Sequence, residues 1–127
     1  MDQDRKGYKK LKVWEESHKL VLLVYKVTEQ FPRGELFGLT PQIRRAVVSI
    51  TANIVEGHVK HSRKEFLHHL DFANGSLVEV EYYFDLSKDL VYITDKQYRE
   101  LEQQRTIVGN LLHGLIKSLK KNMTHDT

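Results

Sequence analysis

Four histidines near the middle of the chain are the side chains best suited to bind a metal ion. His58 and His61 precede His68 and His69, and Glu65 lies between the two pairs. In a helix, His68 and His69 would point about 100° apart. None of these residues has the HExxH spacing that places two imidazoles and a base on one helix face. We therefore interpret them as solvated histidines at a helix start and predict no metal and no cofactor.

The serines and carboxylates form no pattern that is typical of an enzyme. Ser49, Ser62 and Ser76 lack the glycine-elbow context of a serine nucleophile, and the sequence contains no strand-to-helix phosphate loop. Glu79 and Glu81 are two positions apart and would face different sides of a helix, so they do not make a catalytic pair. The sequence therefore predicts a protein that is not an enzyme.

Two adjacent arginines, Arg44 and Arg45, lie beside an apolar stripe in the segment QIRRAVVSITANIVEG. A guanidinium near a helix seam needs a carboxylate to offset its lost hydration. We therefore expect an interhelical polar network in which the arginines pair with Glu56, Glu79 or Glu81. The alternative is that both arginines are exposed and bind phosphate.

Basic residues are concentrated in three short segments, near the N-terminus, in a predicted turn and near the C-terminus. They are Lys9, Lys10, Lys60, Arg63, Lys64, Lys117, Lys120 and Lys121. Repeated lysines and arginines bind the phosphate backbone of nucleic acid with little sequence preference. We therefore expect RNA or DNA binding through them. The alternative is a protein–protein assembly or adaptor module, in which the net charge of +3 serves solubility alone.

The elements that must position these residues are helices, because apolar residues recur at spacings of three and four along the chain. Four helices are expected, at residues 12–30, 41–56, 63–90 and 95–121, with flexible ends at 1–8 and 122–127. Short connections between helices of this length predict a single all-α domain, an up-and-down antiparallel four-helix bundle.

Capping residues define the expected helix ends. Thr40, Ser62 and Thr94 each stand where a side-chain oxygen can accept a hydrogen bond from the first turn of a helix. Gly57 is expected to end the second helix, because glycine is favoured just beyond a helix C-terminus.

The apolar stripes also predict where the helices approach one another. Ile50 lies at the centre of the second helix, where it is expected to be buried. Gly75 and Gly109 lie inside predicted helices, where glycine costs about 1 kcal/mol relative to alanine. We therefore expect a close helix approach at both glycines.

The first helix carries more apolar surface than one bundle seam requires. Trp14, Val21, Leu22 and Tyr25 lie outside the stripe that faces the predicted core. Exposed apolar patches of this kind commonly mark an interface between proteins. We therefore expect the chain to form a homo-oligomer through this helix and its neighbours.

Composition narrows the cellular setting. The 127 residues are enough for one hydrophobic core, and cysteine is absent, which excludes disulfides and thiol catalysis and fits a reducing cytoplasm. The N-terminal segment is charged and has no apolar signal region, and the longest apolar run, at 20–25, is far too short to cross a membrane. We expect a cytoplasmic protein with no membrane contact.

Several motifs occur together along the chain. They are LKVW at 11–14, VYxxTxxFP at 24–32, FGLTPQ at 37–42, QIRRAVVSITANIVEG at 42–57, SxKEF at 62–66 and AxGSxxExE at 73–81. In these motifs, and over roughly residues 8–121, the chain resembles the four-helix-bundle proteins encoded within intervening sequences of bacterial 23S ribosomal RNA.

The resemblance implies a fold and an assembly more than an activity. Members of that family are up-and-down bundles, commonly found as homopentameric rings, and they resemble the accessory protein of diversity-generating retroelements, which engages a reverse transcriptase and nucleic acid. The motif residues to which we assign a structural role are Arg44, Arg45, Asn53, Glu56, Gly57, Gly75, Ser76, Glu79 and Glu81. Asn53 is expected to fix how two helices pair.

The chain departs from the family pattern at three positions. Thr51 replaces a frequent proline and Val55 replaces a usual alanine, and a helix tolerates both residues. Val91 stands where the family usually has glycine, at the turn before the last helix. That turn is therefore expected to lack its usual flexible residue.

Overall fold

Four α-helices contain most of the chain in the computed structural model, which describes the backbone of residues 7–126 and the side chains of residues 7–122. The helices are α1 (Lys12–Thr28), α2 (Leu39–His58), α3 (Arg63–Asp89) and α4 (Asp95–Asp126). Short 3-10 turns at Gly7–Lys10 and Arg33–Glu35 precede α1 and α2. Of the predicted flexible ends at 1–8 and 122–127, residues 1–6 and Thr127 lie outside the described residues, whereas residues 7–8 belong to the first 3-10 turn.

The four helices pack in a closed cycle in which each helix contacts its two neighbours. α1 packs on α2, α2 on α3, α3 on α4 and α4 on α1, and the most extensive contact joins α2 to α3. Short turns reverse the chain between successive helices, so neighbours run antiparallel. The predicted all-α four-helix bundle is confirmed. Over residues 7–126, no helix combines the length and hydropathy that crossing a bilayer requires.

The core follows the apolar spacing seen in the sequence. Leu20 and Val24 of α1 meet Ile50 of α2, Phe84 of α3 and Leu112 of α4 in one continuous cluster. Ile50, Phe84 and Leu112 are completely buried. Each fully buried side chain of this size contributes about 1.5–3 kcal/mol relative to its exposed state. The bundle is therefore held mainly by this single apolar seam.

Two of the three predicted N-caps are present. The Ser62 hydroxyl accepts a hydrogen bond from the Glu65 N–H at 3.1 Å, which starts α3. At the start of α4, the Gln97 N–H donates to the Thr94 hydroxyl at 3.1 Å, and the Thr94 N–H donates to Gln97 Oε1 at 2.9 Å. This reciprocal pair is a capping box, and it satisfies two backbone donors that the helix itself leaves unpaired.

The prediction that Thr40 caps α2 is wrong. The helix begins earlier, at Leu39, and its N-cap residue is Gly38. The carboxylate of Glu35 replaces the expected hydroxyl, because Leu39 N–H donates to Glu35 Oε1 at 3.0 Å. The Tyr92 hydroxyl donates to the other oxygen of Glu35 at 2.7 Å. Both hydrogen bonds favour the ionised carboxylate, the Leu39 bond most, and so they lower the pKa of Glu35.

Two further helix ends differ from the predictions. Gly57 does not stop α2, which continues to His58, and no described glycine adopts a positive φ. The last helix continues beyond Lys121 to Asp126, where a flexible end was expected. The sequence after Lys121 contains no glycine or proline to break the helix.

The turn between α3 and α4 contains a strained valine. Val91 has a φ of 61°, the left-handed conformation that glycine normally supplies after a helix. Its N–H donates to the Lys88 carbonyl, and the Tyr92 N–H donates to the Ser87 carbonyl, both at 2.9 Å, which together form a Schellman motif. A β-branched residue at positive φ is a genuine outlier. Val91 therefore leaves strain in this turn.

Val91→Gly should stabilise the protein. Val91 is 83% exposed, so its replacement removes little packing. Relief of the left-handed backbone is worth about 1–2 kcal/mol, and the greater freedom of glycine in the unfolded chain offsets part of that gain. We expect a net gain of about 1 kcal/mol in the free energy of unfolding, measured by urea denaturation. Val91→Ala is the control, because alanine keeps the Cβ that disfavours a positive φ. If alanine raised the free energy of unfolding as much as glycine, the left-handed backbone at Val91 would not be the source of strain.

Candidate nucleic-acid interface

The bundle topology brings the three basic segments to one end of the molecule. α1 and α3 begin at this end, and α2 and α4 finish there, because neighbouring helices run antiparallel. The N-terminal 3-10 turn packs against both α1 and α2, and a Cβ built at Gly7 would lie 3.4 Å from His58 Cε1. We call this surface the basic end; its residues are Lys9, Lys10, Lys60, Arg63, Lys64, Lys117, Lys120 and Lys121.

A cleft of about 750 Å³ lies within the basic end, between the start of α3 and the last turns of α4. Three of the predicted binding residues, Lys60, Lys64 and Lys120, line it together. The other five are exposed around the same end and do not line the cleft. The remaining lining residues are Ser62, Glu65, Leu67, His68, His69 and Asp71. The cleft thus combines lysines from two distant segments with two imidazoles.

Local helix geometry holds these groups in place. The Ser62 cap fixes the first turn of α3, so Lys60 and Lys64 are held on either side of a defined helix start. The N-terminus of a long helix carries a partial positive charge from its unpaired N–H groups, which adds to the charge of the lysines. Two carboxylates in the lining, Glu65 and Asp71, offset part of it. The arrangement is suited to binding an extended anion.

One of the two cleft histidines has a structural contact that the sequence analysis did not anticipate. His69 is half-buried, and its Nδ1 lies 3.2 Å from Asn53 Oδ1 and 3.7 Å from Glu56 Oε2. The expectation that it would be a solvated histidine is therefore wrong. His69 instead joins α3 to α2, whereas His68 is exposed beside it. Among the described side chains, no group of three metal-ligating residues could hold an ion.

Asn53 lies at the contact between α2 and α3. Its amide donates to the Ser49 carbonyl at 2.9 Å, while its oxygen faces His69. One turn away, the Ser76 hydroxyl donates to the Ser49 hydroxyl at 2.9 Å. These polar contacts fix the rotation of the two helices relative to each other.

The predicted single network of arginines and glutamates is instead a set of separate contacts. Arg45 pairs with Glu79 at 3.2 Å, the one predicted arginine–carboxylate contact that is present. The Tyr83 hydroxyl also donates to Glu79 at 2.7 Å, which raises the pKa of Tyr83. Glu56 faces His69, and Glu81 pairs with Arg105 of α4 at 2.9 Å.

Arg44 contacts α1, and no carboxylate among the described side chains pairs with it. Its Nε donates to the Thr28 hydroxyl at 2.8 Å, and its guanidinium lies 4.6 Å from the ring centroid of Tyr25. A second donor reaches the Tyr25 carbonyl at 3.3 Å. A cation over an aromatic ring gains about 0.5–1 kcal/mol at an exposed site. The ring and the two oxygens therefore take the place of the expected carboxylate.

The helical glycines differ in what surrounds them. A Cβ built at Gly57 would lie 2.8 Å from both His69 Cβ and Phe66 Cδ1, so α2 and α3 are in close contact there. At Gly109 the nearest atom would be Leu77 Cδ2 at 3.3 Å, which fits the predicted close approach. Gly75 is exposed and has nothing within 4 Å of a built Cβ, so the prediction of a close approach at Gly75 is wrong.

The opposite end of the bundle has a different chemistry. The Tyr98 hydroxyl donates to Asp85 at 2.6 Å, and this hydrogen bond raises the pKa of Tyr98 to about 12. Tyr92 is bound to Glu35 in the same region. The first of these hydrogen bonds joins α4 to α3, and the second joins the α3–α4 turn to the α1–α2 connection. A second cleft at this end, of about 420 Å³, is lined by Lys26, Lys96 and Glu100; no described aromatic side chain or histidine lines it.

Comparison with known proteins places the chain in a family. The family model described as "23S rRNA-intervening sequence protein" matches residues 9–114. A crystal structure of a protein with unknown function from the S23 ribosomal protein family of Bacteroides thetaiotaomicron aligns with a TM-score of 0.75 and 30% sequence identity, covering 83% of this chain and 95% of that chain. No curated protein matches the sequence. Since the matched region spans most of the chain, the protein belongs to the 23S rRNA-intervening sequence protein family.

Proposed function

We propose that the protein binds RNA through its basic end and does so without catalysing a reaction. The observation that carries the proposal is the convergence of three basic segments, far apart in sequence, on one end of the bundle. Lysines from the α2–α3 turn and from α4 line one cleft, and further lysines surround it. The family's description, which refers to ribosomal RNA, makes RNA the first ligand to test.

The chemistry of this surface favours phosphate contacts over base readout. Lysine is a compact charge on a flexible stem and provides no rigid, bidentate match to a base edge. Binding of this kind releases counterions, so its affinity falls steeply as salt rises. The proposed activity is therefore a salt-dependent association with little sequence preference.

Charge reversal at the end of α4 tests the proposal. Lys117→Glu, Lys120→Glu and Lys121→Glu together should weaken RNA binding and reduce the slope of log affinity against log salt by about three, since each phosphate contact contributes about 0.9 to that slope. These lysines are exposed on the last part of α4, so the fold should be retained. Fluorescence anisotropy with structured ribosomal RNA between about 50 and 200 mM salt gives both quantities.

The matched control makes the same change of charge at the other end of the bundle. Lys26, Lys96 and Arg99 are exposed near the end of α1 and the start of α4. Their triple replacement by glutamate alters net charge equally and leaves the basic end intact. Equal weakening by both triple variants would show that net charge alone governs binding and would contradict the assignment of the site.

The proposal includes self-assembly, which the exposed faces of the bundle support. Leu22, Tyr25 and Val48 are exposed along α1 and α2, whereas Val78 and Tyr82 are exposed on α3. The α1–α2 and α3–α4 pairs lie on opposite sides of the four-helix cycle, so the two apolar surfaces face away from each other. Contacts between unlike surfaces generate rings when the rotation closes. A ring would display several copies of the basic end and increase avidity.

Light scattering tests this assembly. A pentamer, the state that the family resemblance implies, should have five times the monomer mass of 14.9 kDa. Leu22→Glu combined with Val48→Glu should reduce the mass, because charges would replace exposed apolar side chains on one of the two surfaces. Trp14 and Val21 are half-buried and so are poorer test positions than the sequence indicated. A wild-type mass equal to the monomer at micromolar concentration would contradict self-assembly.

An adaptor function is the second candidate, favoured by apolar residues at the end opposite the lysines. Phe37 is 94% exposed in the α1–α2 connection, and Val91 is exposed in the α3–α4 turn. The hydrogen bond between Glu35 and Tyr92 ties these two segments together. Such a surface fits a protein partner. If the wild-type protein binds neither RNA nor DNA near 50 mM salt, this candidate becomes the first.

A further inference from the structure

An exposed phenylalanine lies beside the lysine-lined cleft. Phe72 is one helical turn beyond His68 on α3, and 55% of its surface is exposed. The two rings are nearly perpendicular, at 82°, with their centroids 4.8 Å apart. His68 lines the cleft, so an aromatic surface continues from the cleft to Phe72. This ring is part of no core contact that the fold requires.

The lysines of the cleft lie on the other side of His68 and are suited to phosphate. Lys60 and Lys64 have no carboxylate partner among the side chains described, although Glu65 and Asp71 also line the cleft. Lys120 reaches the same space from α4. A volume of about 750 Å³ is within the range of sites that hold drug-sized ligands, roughly 300–1,000 Å³, so a nucleotide can fit.

Aromatic rings next to phosphate-binding lysines distinguish single strands from duplexes. In an RNA duplex the bases are stacked inside the helix and cannot reach a ring on a protein surface. An unpaired base can stack on such a ring while its phosphates contact lysine, and each stacked base contributes about 1–3 kcal/mol. We propose that the cleft binds single-stranded RNA, with phosphates on Lys60, Lys64 and Lys120 and an unpaired base stacked on Phe72.

This inference rests on the proposed RNA binding and adds the class of ligand. Phe72 and the cleft lysines are expected to contribute separately to RNA binding. The lysines set the salt dependence, because they contact phosphate. Phe72 sets the preference for unpaired bases, because it contacts a π-face that a duplex conceals. His68 is positioned to hold the Phe72 ring, edge to face.

The test compares one RNA in two forms. A fluorescent, unstructured single-stranded RNA of about 12 nucleotides and the same strand annealed to its complement are titrated with the full chain. The wild type should bind the single strand about fivefold more tightly or better. Phe72→Ala should weaken single-strand binding by about 5- to 100-fold, leave duplex binding unchanged and keep the salt slope.

Two further variants separate stacking from folding. Phe72→Leu keeps an apolar side chain without a ring and should lose as much single-strand affinity as alanine, whereas Phe72→Trp should retain it. Phe37→Ala is the matched control, since Phe37 is even more exposed but lies at the opposite end of the bundle. It should bind like the wild type.

The outcomes distinguish this inference from the proposed function. Equal affinity for both RNA forms with no effect of Phe72→Ala would overturn the single-strand inference and leave RNA binding in place. Absence of binding to either form near 50 mM salt would overturn both. A lower oligomer mass for Phe72→Ala, with affinity falling equally for both RNA forms, would assign Phe72 to the subunit interface and also overturn the inference.

Discussion

Ile50→Asp should abolish the folded bundle at room temperature. Ile50 is completely buried at the centre of α2, in the cluster shared by all four helices. A carboxylate there either remains ionised without a partner or takes up a proton, and it also removes apolar contacts. The combined cost is about 5 kcal/mol or more, comparable with the total stability of a small domain. Circular dichroism should show loss of helix or a greatly lowered Tm.

A control on the same helix separates the core effect from helix propensity. Ala52 is exposed on α2, so Ala52→Asp introduces the same side chain into water. It should cost less than about 1 kcal/mol, mainly through the poorer helix propensity of aspartate. If Ile50→Asp retains the wild-type Tm, the assignment of the central seam is wrong.

The helices and the core could be predicted because burial leaves a direct signal in the sequence. Val24, Ile50, Phe84 and Leu112 all belong to stripes with spacings of three and four, and all four are buried. Such a stripe defines the inner face of a helix without knowledge of its neighbours. The caps at Ser62 and Thr94 were equally predictable, because each depends on residues at most three positions away.

The start of α2 could not be predicted by the same reasoning. Thr40 has the right residue type for a cap, but Glu35 accepts the hydrogen bond from the helix start. That contact spans only four residues, but the same carboxylate is also bound through its second oxygen by Tyr92 from a distant turn. Capping residues compete, and the outcome depends on tertiary contacts that sequence patterns do not contain.

The partner of each arginine is determined by the direction in which its side chain leaves α2. Adjacent helical residues point about 100° apart, so Arg44 faces α1 and Arg45 faces α3. The same angle separates His68 from His69. Applied to Arg44 and Arg45, it would have indicated two separate contacts. The partner of Arg44, a threonine with a tyrosine, carried no recognisable signal.

The candidate interface was predicted in pieces. All eight basic residues were identified from their clustering, but their convergence follows only when the antiparallel order of the helices is applied. That step needs no side-chain geometry and was available from the predicted topology. The cleft could not be predicted in this way, because Lys60 of the α2–α3 turn and Lys120 of α4 line one space only after the helices have packed.

At Gly57, α2 and α3 are in close contact, a short distance before the cleft. Gly57 keeps a helical conformation, so no unusual backbone angle requires glycine there. What the position requires is the absence of a side chain, which lets the two helices approach. The atoms that a Cβ would meet are His69 Cβ, which is fixed by the α3 backbone, and the ring of Phe66. A larger residue would force the two helices apart. The contact between His69 and Asn53 would then lengthen or break.

Gly57→Ala should therefore destabilise the protein, although alanine is the better helix former. Two contacts at 2.8 Å cannot be relieved by rotating a flexible chain end, and overpacking of this kind costs about 1–3 kcal/mol. Gly75→Ala is the matched control: the same substitution in a helix with open space should gain about 1 kcal/mol. Urea denaturation of both variants should give free-energy changes of opposite sign. Stabilisation by both alanines would show that α2 and α3 can separate without loss and would contradict the close approach at Gly57.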